Sequence, residues 1–344
     1  MTTLTETAIF SRKFLIWVIS GIGLIIILVL LLTLGGTIKN ILLPPKPPPA
    51  TVAFGKLARL DLSEGIKSPV GITYSVETIK GELPSLPSTI KVFAIQPEES
   101  SFGALERTKI TVAKIGFNQN PKEISGNTVK FQDTKEEDRI LTIDIASGNF
   151  QLESNYLNNP EIISSRPKSI DEAIEIASTF FSNFNINKND FPKEKVDTFK
   201  YRLDGISLTE TPALSTANLV EVNFKRADLD NISVVSPQEK QAPLEALVSK
   251  DKVVKAQLSQ LFVKKNEFST YPLKGTNRAF EDLKAGRGTF NKNLKGTTFP
   301  IRDVTIAYLE TKNPQEFLQP VYVFKSDEGL AAYVAAVDDV WVKD

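Results

Sequence analysis

Leu141-Thr142-Ile143-Asp144-Ile145-Ala146-Ser147-Gly148-Asn149-Phe150-Gln151-Leu152 alternates apolar and polar residues through Ile145, breaks, and resumes the alternation at Phe150 and Leu152. A period of two puts the apolar set on one face of a strand, and Ser147-Gly148-Asn149 supplies turn chemistry. The stretch reads as a β-hairpin with one buried face.

Just downstream the period changes. Ala173, Ala177, Phe180, Phe181 and Phe184 fall on one helical stripe, with Ser169 placed to cap the helix and Asp171 and Glu172 in its first turn. Upstream, Phe102 to Ile115 reads as a helix that Gly116 ends in a left-handed cap, with Phe117 folding back onto it. Strands are expected at 71–76, 90–95, 196–203 and 219–224, a helix at 277–284 ahead of Gly286 and Gly288, and a closing antiparallel run at 304–309, 320–324 and 330–337. Residues 238–268 fit either helix or strand, because Val254, Ala256, Leu258 and Phe262 alternate within a helix-tolerant composition. Three helix candidates, beginning near Phe102, Ser169 and Asn277, each precede a set of strands. The expected fold is therefore α+β, an N-terminal transmembrane helix followed by repeated modules of helix plus antiparallel β-sheet.

The transmembrane expectation rests on Phe14 to Leu34, which carries no charge and matches the roughly 20 residues a helix needs to cross a bilayer. Arg12 and Lys13 precede it, so the positive-inside rule puts residues 1–13 in the cytoplasm and the rest of the chain outside the cell membrane. A cleaved secretory signal fits less well, since its apolar region is shorter and Thr33-Leu34-Gly35-Gly36 makes a poor cleavage site. Residues 35–50 include Leu43-Pro44-Pro45-Lys46-Pro47-Pro48-Pro49, a stiff polyproline stalk. Beyond it, residues 51–165 are expected to form a first extracytoplasmic domain and 166–344 a second.

Composition narrows the chemistry. Lys plus Arg and Asp plus Glu both number 41, so no net field gathers nucleic acid. The chain has no cysteine and no histidine, which removes thiol nucleophiles, Ser-His-Asp triads and the common zinc ligands. No catalytic, cofactor-binding or metal-binding residue is assigned. Ser88-Thr89-Ile90-Lys91 matches the SxxK pattern of acyl enzymes, yet Pro87 precedes it and a strand pattern follows where a helix is needed. Asn185, Asn187, Asn189 and Asp190 echo a calcium loop, but Asp190 stands where glycine is required and Val196 where glutamate is. Asp133, Glu136, Glu137 and Asp138 read as a solvated acidic loop. Asn231-Ile232-Ser233 is a formal glycosylation sequon, and Lys250, Lys252, Lys255, Lys264 and Lys265 form a solvated basic face without stacking aromatics.

Tyr271-Pro272-Leu273, Ala279-Phe280, Leu283-Lys284, Gly286-Arg287-Gly288, Ala307-Tyr308-Leu309 and Leu318-Gln319-Pro320-Val321-Tyr322-Val323-Phe324 resemble the YycH/YycI family of membrane-anchored bacterial proteins and the PepSY-like modules from which they are built. The hairpin at 141–152 and the helix at 173–184 are similar to parts of that module, and the resemblance covers roughly residues 102–340. It implies an accessory protein that modulates a membrane or envelope partner, such as a sensor kinase or a peptidase, without enzymatic activity of its own. Two other readings stand beside it. One is a structural or assembly component of the envelope that binds wall polymer or filament subunits. The other is an enzyme using paired carboxylates on a glycan, which needs a cleft holding both groups.

Overall fold

The computed structural model of the chain describes residues 49–97, 101–159 and 166–343, together with residues 17, 18, 21, 23 and 29, which are helical. Residues 50–344 form one compact unit. Two mostly antiparallel sheets dominate it, and among the described residues strands account for 36% against 16% for helix.

The hairpin around Ser147-Gly148-Asn149 lies within a nine-stranded sheet. Its strands run, in spatial order, Lys122–Ser125, Thr128–Gln132, Ile140–Asp144, Phe150–Glu153, Val253–Leu258, Leu244–Val248, Leu219–Phe224, Val196–Asp204 and Ser207–Glu210. Every neighbouring pair is antiparallel. The sheet thus has two halves, a four-stranded meander and a five-stranded set in which Leu219–Phe224 crosses back to pair with Val196–Asp204, joined where Phe150–Glu153 meets Val253–Leu258. Residue 166 falls inside the segment that builds it.

Helix α1 (Ala104–Ala113) and helix α2 (Ile170–Phe181) share one core with this sheet. Helix α1 ends as its sequence dictates: Gly116 takes φ +104° and the Phe117 N–H donates to the Val112 carbonyl at 3.1 Å, which turns the buried Phe117 ring back beneath the helix. Helix α2 starts at Ser169, whose hydroxyl accepts from the Glu172 N–H at 3.0 Å. Its stripe presents Phe180 and Phe181 to Phe150, and Phe184 stacks on Phe150 with ring centroids 4.2 Å apart. The period-two face and the period-3.6 face are therefore two halves of one core.

The second sheet has eight strands and draws on both sides of the first. Thr89–Ile95 pairs with Val263–Pro272 and with Phe317–Lys325, which continues through Asp303–Leu309 on one side and Ala331–Ala335 on the other. Helix α3 (Thr276–Lys284) covers it, burying Ala279 and Leu283. Behind α3, Gly286 adopts φ +73°, and at Gly288 a side chain would meet the Tyr333 carbonyl at 2.9 Å.

The α+β expectation of repeated helix-plus-sheet modules is corrected by this architecture. Beyond residue 48 the described residues hold three α-helices against long runs of strand, and the regular secondary structure within the ambiguous segment 238–268 is all strand. The third helix does not lead a module of its own, since Thr298–Ile301 leaves to pair in parallel with Thr73–Val76 and the remaining strands complete the sheet begun at Thr89. No helix among the described residues is long and apolar enough to cross a membrane, so the transmembrane element of that expectation has no counterpart among them. Apart from the five helical positions named above, the stretch 14–34 lies outside the described residues, as do residues 1–13 and the stalk through residue 48.

Candidate functional site

A cleft of about 460 Å³ opens beside the junction of the two halves of the nine-stranded sheet. Its floor is apolar, made by Ile115 just beyond α1, Ile176 and Phe180 of α2, and Val253 at the start of the joining strand. Its walls are charged: Glu136 and Arg139 from the loop between Thr128–Gln132 and Ile140–Asp144, Glu175 from α2, and Asp251 and Lys252 from the turn before Val253. The size falls within the 300–1,000 Å³ or so typical of ligand pockets, and an apolar floor with a few placed polar groups is their usual lining.

Local chemistry fixes the loop that carries Arg139. The Asp133 N–H donates to the Arg139 carbonyl at 2.9 Å, while the Asp133 carboxylate accepts from the Lys135 N–H at 2.8 Å and from Arg139 Nη1 at 2.7 Å. Arg139 Nη1 also donates to the Ile115 carbonyl at 2.8 Å, and the guanidinium lies 4.9 Å from the Phe117 ring centroid. Burial works to raise the Asp133 carboxyl, but the hydrogen bonds from Lys135, Arg139 and Glu136 and the Arg139 charge outweigh it and hold it below the usual carboxylate range. Across the cleft mouth Lys252 pairs with Glu136 at 2.7 Å, tying one half of the sheet to the other, and Glu175 pairs with Lys193 at 2.6 Å.

On the strands Leu219–Phe224 and Leu244–Val248 lies a second polar cluster. Burial, helped by the neighbouring charge of Glu245, raises the Glu221 carboxyl against the hydrogen bond it accepts from Asn223 Nδ2 at 2.7 Å. Burial and Glu221 together push the Tyr201 hydroxyl up to about 12. Glu245 is engaged by Lys312 at 2.9 Å and by the Ala242 N–H at 3.0 Å. Neither of these two carboxylates is among the residues that line the cleft above.

The residues weighed from sequence are scattered rather than gathered. Ser88 lies just before the strand Thr89–Ile95, and Lys91 pairs with Asp230 at 2.6 Å and covers the Phe268 ring. Asn187 accepts from the Asn189 N–H at 3.1 Å, and Asp190 pairs with Lys265 at 2.7 Å. Asn231 sits in a tight turn at φ +62°. Of the acidic run 133–138, Asp133 is buried and organises Arg139 instead of standing in solvent. No group of three or more metal-ligating side chains is assembled among the described residues. Arg139 itself was not singled out by sequence; its only trace there is that it closes the acidic run.

No protein-family model matches the chain, and no curated protein does.

Proposed function

We propose that this chain is a membrane-attached interaction protein, held through the apolar stretch 14–34 with its folded unit outside the cytoplasmic membrane, that modulates a membrane or envelope partner such as a sensor kinase or a peptidase. The observation that carries this reading is the open cleft between α2, the 133–139 loop and the 249–252 turn. Apart from Asp251, its charged walls are held in structural pairs, Arg139 with Asp133, Glu136 with Lys252 and Glu175 with Lys193, an arrangement suited to recognition by shape and charge. The resemblance to YycH/YycI proteins supports an accessory role, and the proline-rich stretch 43–49 supplies a spacer between membrane and folded unit.

A photo-crosslinking residue at Thr179, exposed at the cleft, tests the reading in the full-length chain in its native membrane, with Thr209 on the edge strand Ser207–Glu210 as control. Capture of one membrane or envelope protein from Thr179 and not from Thr209, lost when residues 1–50 are removed, is the expected result. Equal products from both positions, or recovery of wall polymer alone, would overturn it in favour of a structural envelope component.

A further inference from the structure

The Arg139 guanidinium is built into the cleft with only part of its donor capacity used. Arginine offers five N–H donors in a planar fork. Here Nη1 serves both Asp133, at 2.7 Å, and the Ile115 carbonyl, at 2.8 Å. Nε and Nη2 make no hydrogen bond with another described residue, and Arg139 lines the cleft. The Nε–Nη2 edge has the spacing of a carboxylate, which it can grip with two parallel hydrogen bonds. Because Asp133, the Ile115 carbonyl and the Phe117 ring already fix the side chain, little rotamer freedom is left to lose when a ligand arrives.

Two further features specify what accompanies that carboxylate. Ile176, Phe180 and Val253 give an apolar floor. Asp251, exposed on the opposite turn, makes no ion pair with another described residue, so it can attract a cation at the rim. We propose that the cleft binds the free C-terminus of an apolar peptide segment, with the terminal carboxylate on the Arg139 edge, the last apolar side chains on the floor, and a basic residue upstream of them toward Asp251. Capture of a terminal carboxylate is one of the recurring modes of peptide recognition. The inference rests on reading the cleft as the partner site, and it adds the chemistry of the segment that enters.

The test uses the full-length chain in detergent micelles and the peptide acetyl-Lys-Ala-Leu-Leu, titrated calorimetrically as the free acid and as the C-terminal amide. The free acid is expected to bind, and the amide to bind at least about tenfold more weakly, since a charge-assisted hydrogen-bond pair is lost. Arg139→Lys keeps the charge beside Asp133 but loses the planar fork, and should weaken the free acid by a similar factor while leaving the amide unchanged. Asp251→Asn, at an exposed turn where folding is not at stake, should weaken the lysine peptide and leave its norleucine counterpart unaffected. Equal binding of acid and amide, insensitivity to Arg139→Lys, or no binding of either peptide would overturn the assignment. If Thr179 still captures its partner after such a result, the cleft remains the partner site and only the carboxylate chemistry fails; if Thr179 captures nothing, the underlying reading fails with it.

Discussion

Arg226 and Glu310 are 3% and 2% exposed at their side chains and meet in two hydrogen bonds, Nε to Oε2 at 2.6 Å and Nη2 to Oε1 at 2.7 Å. Burial disfavours the guanidinium charge, but the Glu310 carboxylate outweighs it and raises the pKa, with Asp190 adding to the effect. Removing one partner strands the other charge in the interior, so Arg226→Met should cost about 3–5 kcal/mol in urea unfolding. Adding Glu310→Leu should recover only part of this, because the buried Leu261 donates its N–H to Glu310 and offers its carbonyl to Arg226, and both would lose their partners. Full recovery would show that the pair does not hold the backbone at Leu261. Nothing in the sequence links two residues so far apart, and Arg139 with Asp133 was equally hidden, since pairing follows from folding and not from spacing. Glu221 gives a pH signature of the opposite kind to a salt-bridged carboxylate. Its folded pKa lies above the unfolded value, so the native state holds the proton more tightly, and its contribution is most favourable below the ordinary carboxylate range and declines as pH rises through the folded pKa. Glu221→Gln should therefore be more stable than the parent at pH 7, with the difference vanishing near pH 4. Urea midpoints across that range check it, and a pH-independent difference would sink it.

Elements whose signal is local were legible before the fold was known. The hairpin at 141–152 and helix α2 carry their period, turn and cap within about a dozen residues each, and both form where expected. The Ser169 cap can be weighed directly: Ser169→Ala leaves the Glu172 N–H without its acceptor and should destabilise the chain by about 1 kcal/mol, whereas Ser169→Asp should be nearly neutral. Thermal or urea unfolding distinguishes them, and a neutral alanine variant would mean that the aromatic packing of Phe180, Phe181 and Phe184 alone sets the start of α2. Other elements were not legible because their signal is not local. Lys122–Ser125 is exposed along its whole length, so no buried face marks it as a strand. The sequence marks Thr73–Val76 as a strand but not what it pairs with, since its partner, Thr298–Ile301, is far away in sequence and runs parallel to it. Residues 238–268 resolved to strands because Ala246, Val248, Ala256 and Leu258 complete the core under α2, a tertiary demand that propensity does not encode. The cleft inherits this limit, since its walls come from three elements that only the sheet brings together.

At the scale of the whole unit, the nine-stranded sheet is an insertion into the eight-stranded one. The chain leaves the second sheet after Ile95, rejoins it only briefly at Val234–Val235, and returns for good at Val263, and the neck is closed by the Gln96 N–H donating to the Phe262 carbonyl at 2.8 Å. Insertions with adjacent ends commonly behave as separate folding units. This one is tied back. Its segment beyond Phe224 sends Leu229 and Val234 into the core of the second sheet, and Val234–Val235 pairs in parallel with Tyr308 and Leu309. Arg226 and Glu310 close the same crossing, each lying one or two residues past the end of a strand in a different sheet. The two cores should therefore open together. Native-state hydrogen exchange should give the same opening free energy for the slowest amides of Ile140–Asp144 and of Phe317–Lys325, because neither sheet can unfold without breaking the buried crossing. In Arg226→Met the tie is weakened at its most buried point, and the two sets should separate, with the less stable sheet now exchanging through a partial opening of its own. Two distinct values in the parent would show that the insertion already unfolds alone and that the crossing does not couple the sheets. Coincidence in both proteins would locate the coupling in the parallel pairing of Val234 and Val235 and not in the ion pair. The cleft lies wholly on the inserted sheet and its helices, so the coupling also bears on recognition: a segment bound there would stabilise both sheets in the parent but only the inserted one in Arg226→Met.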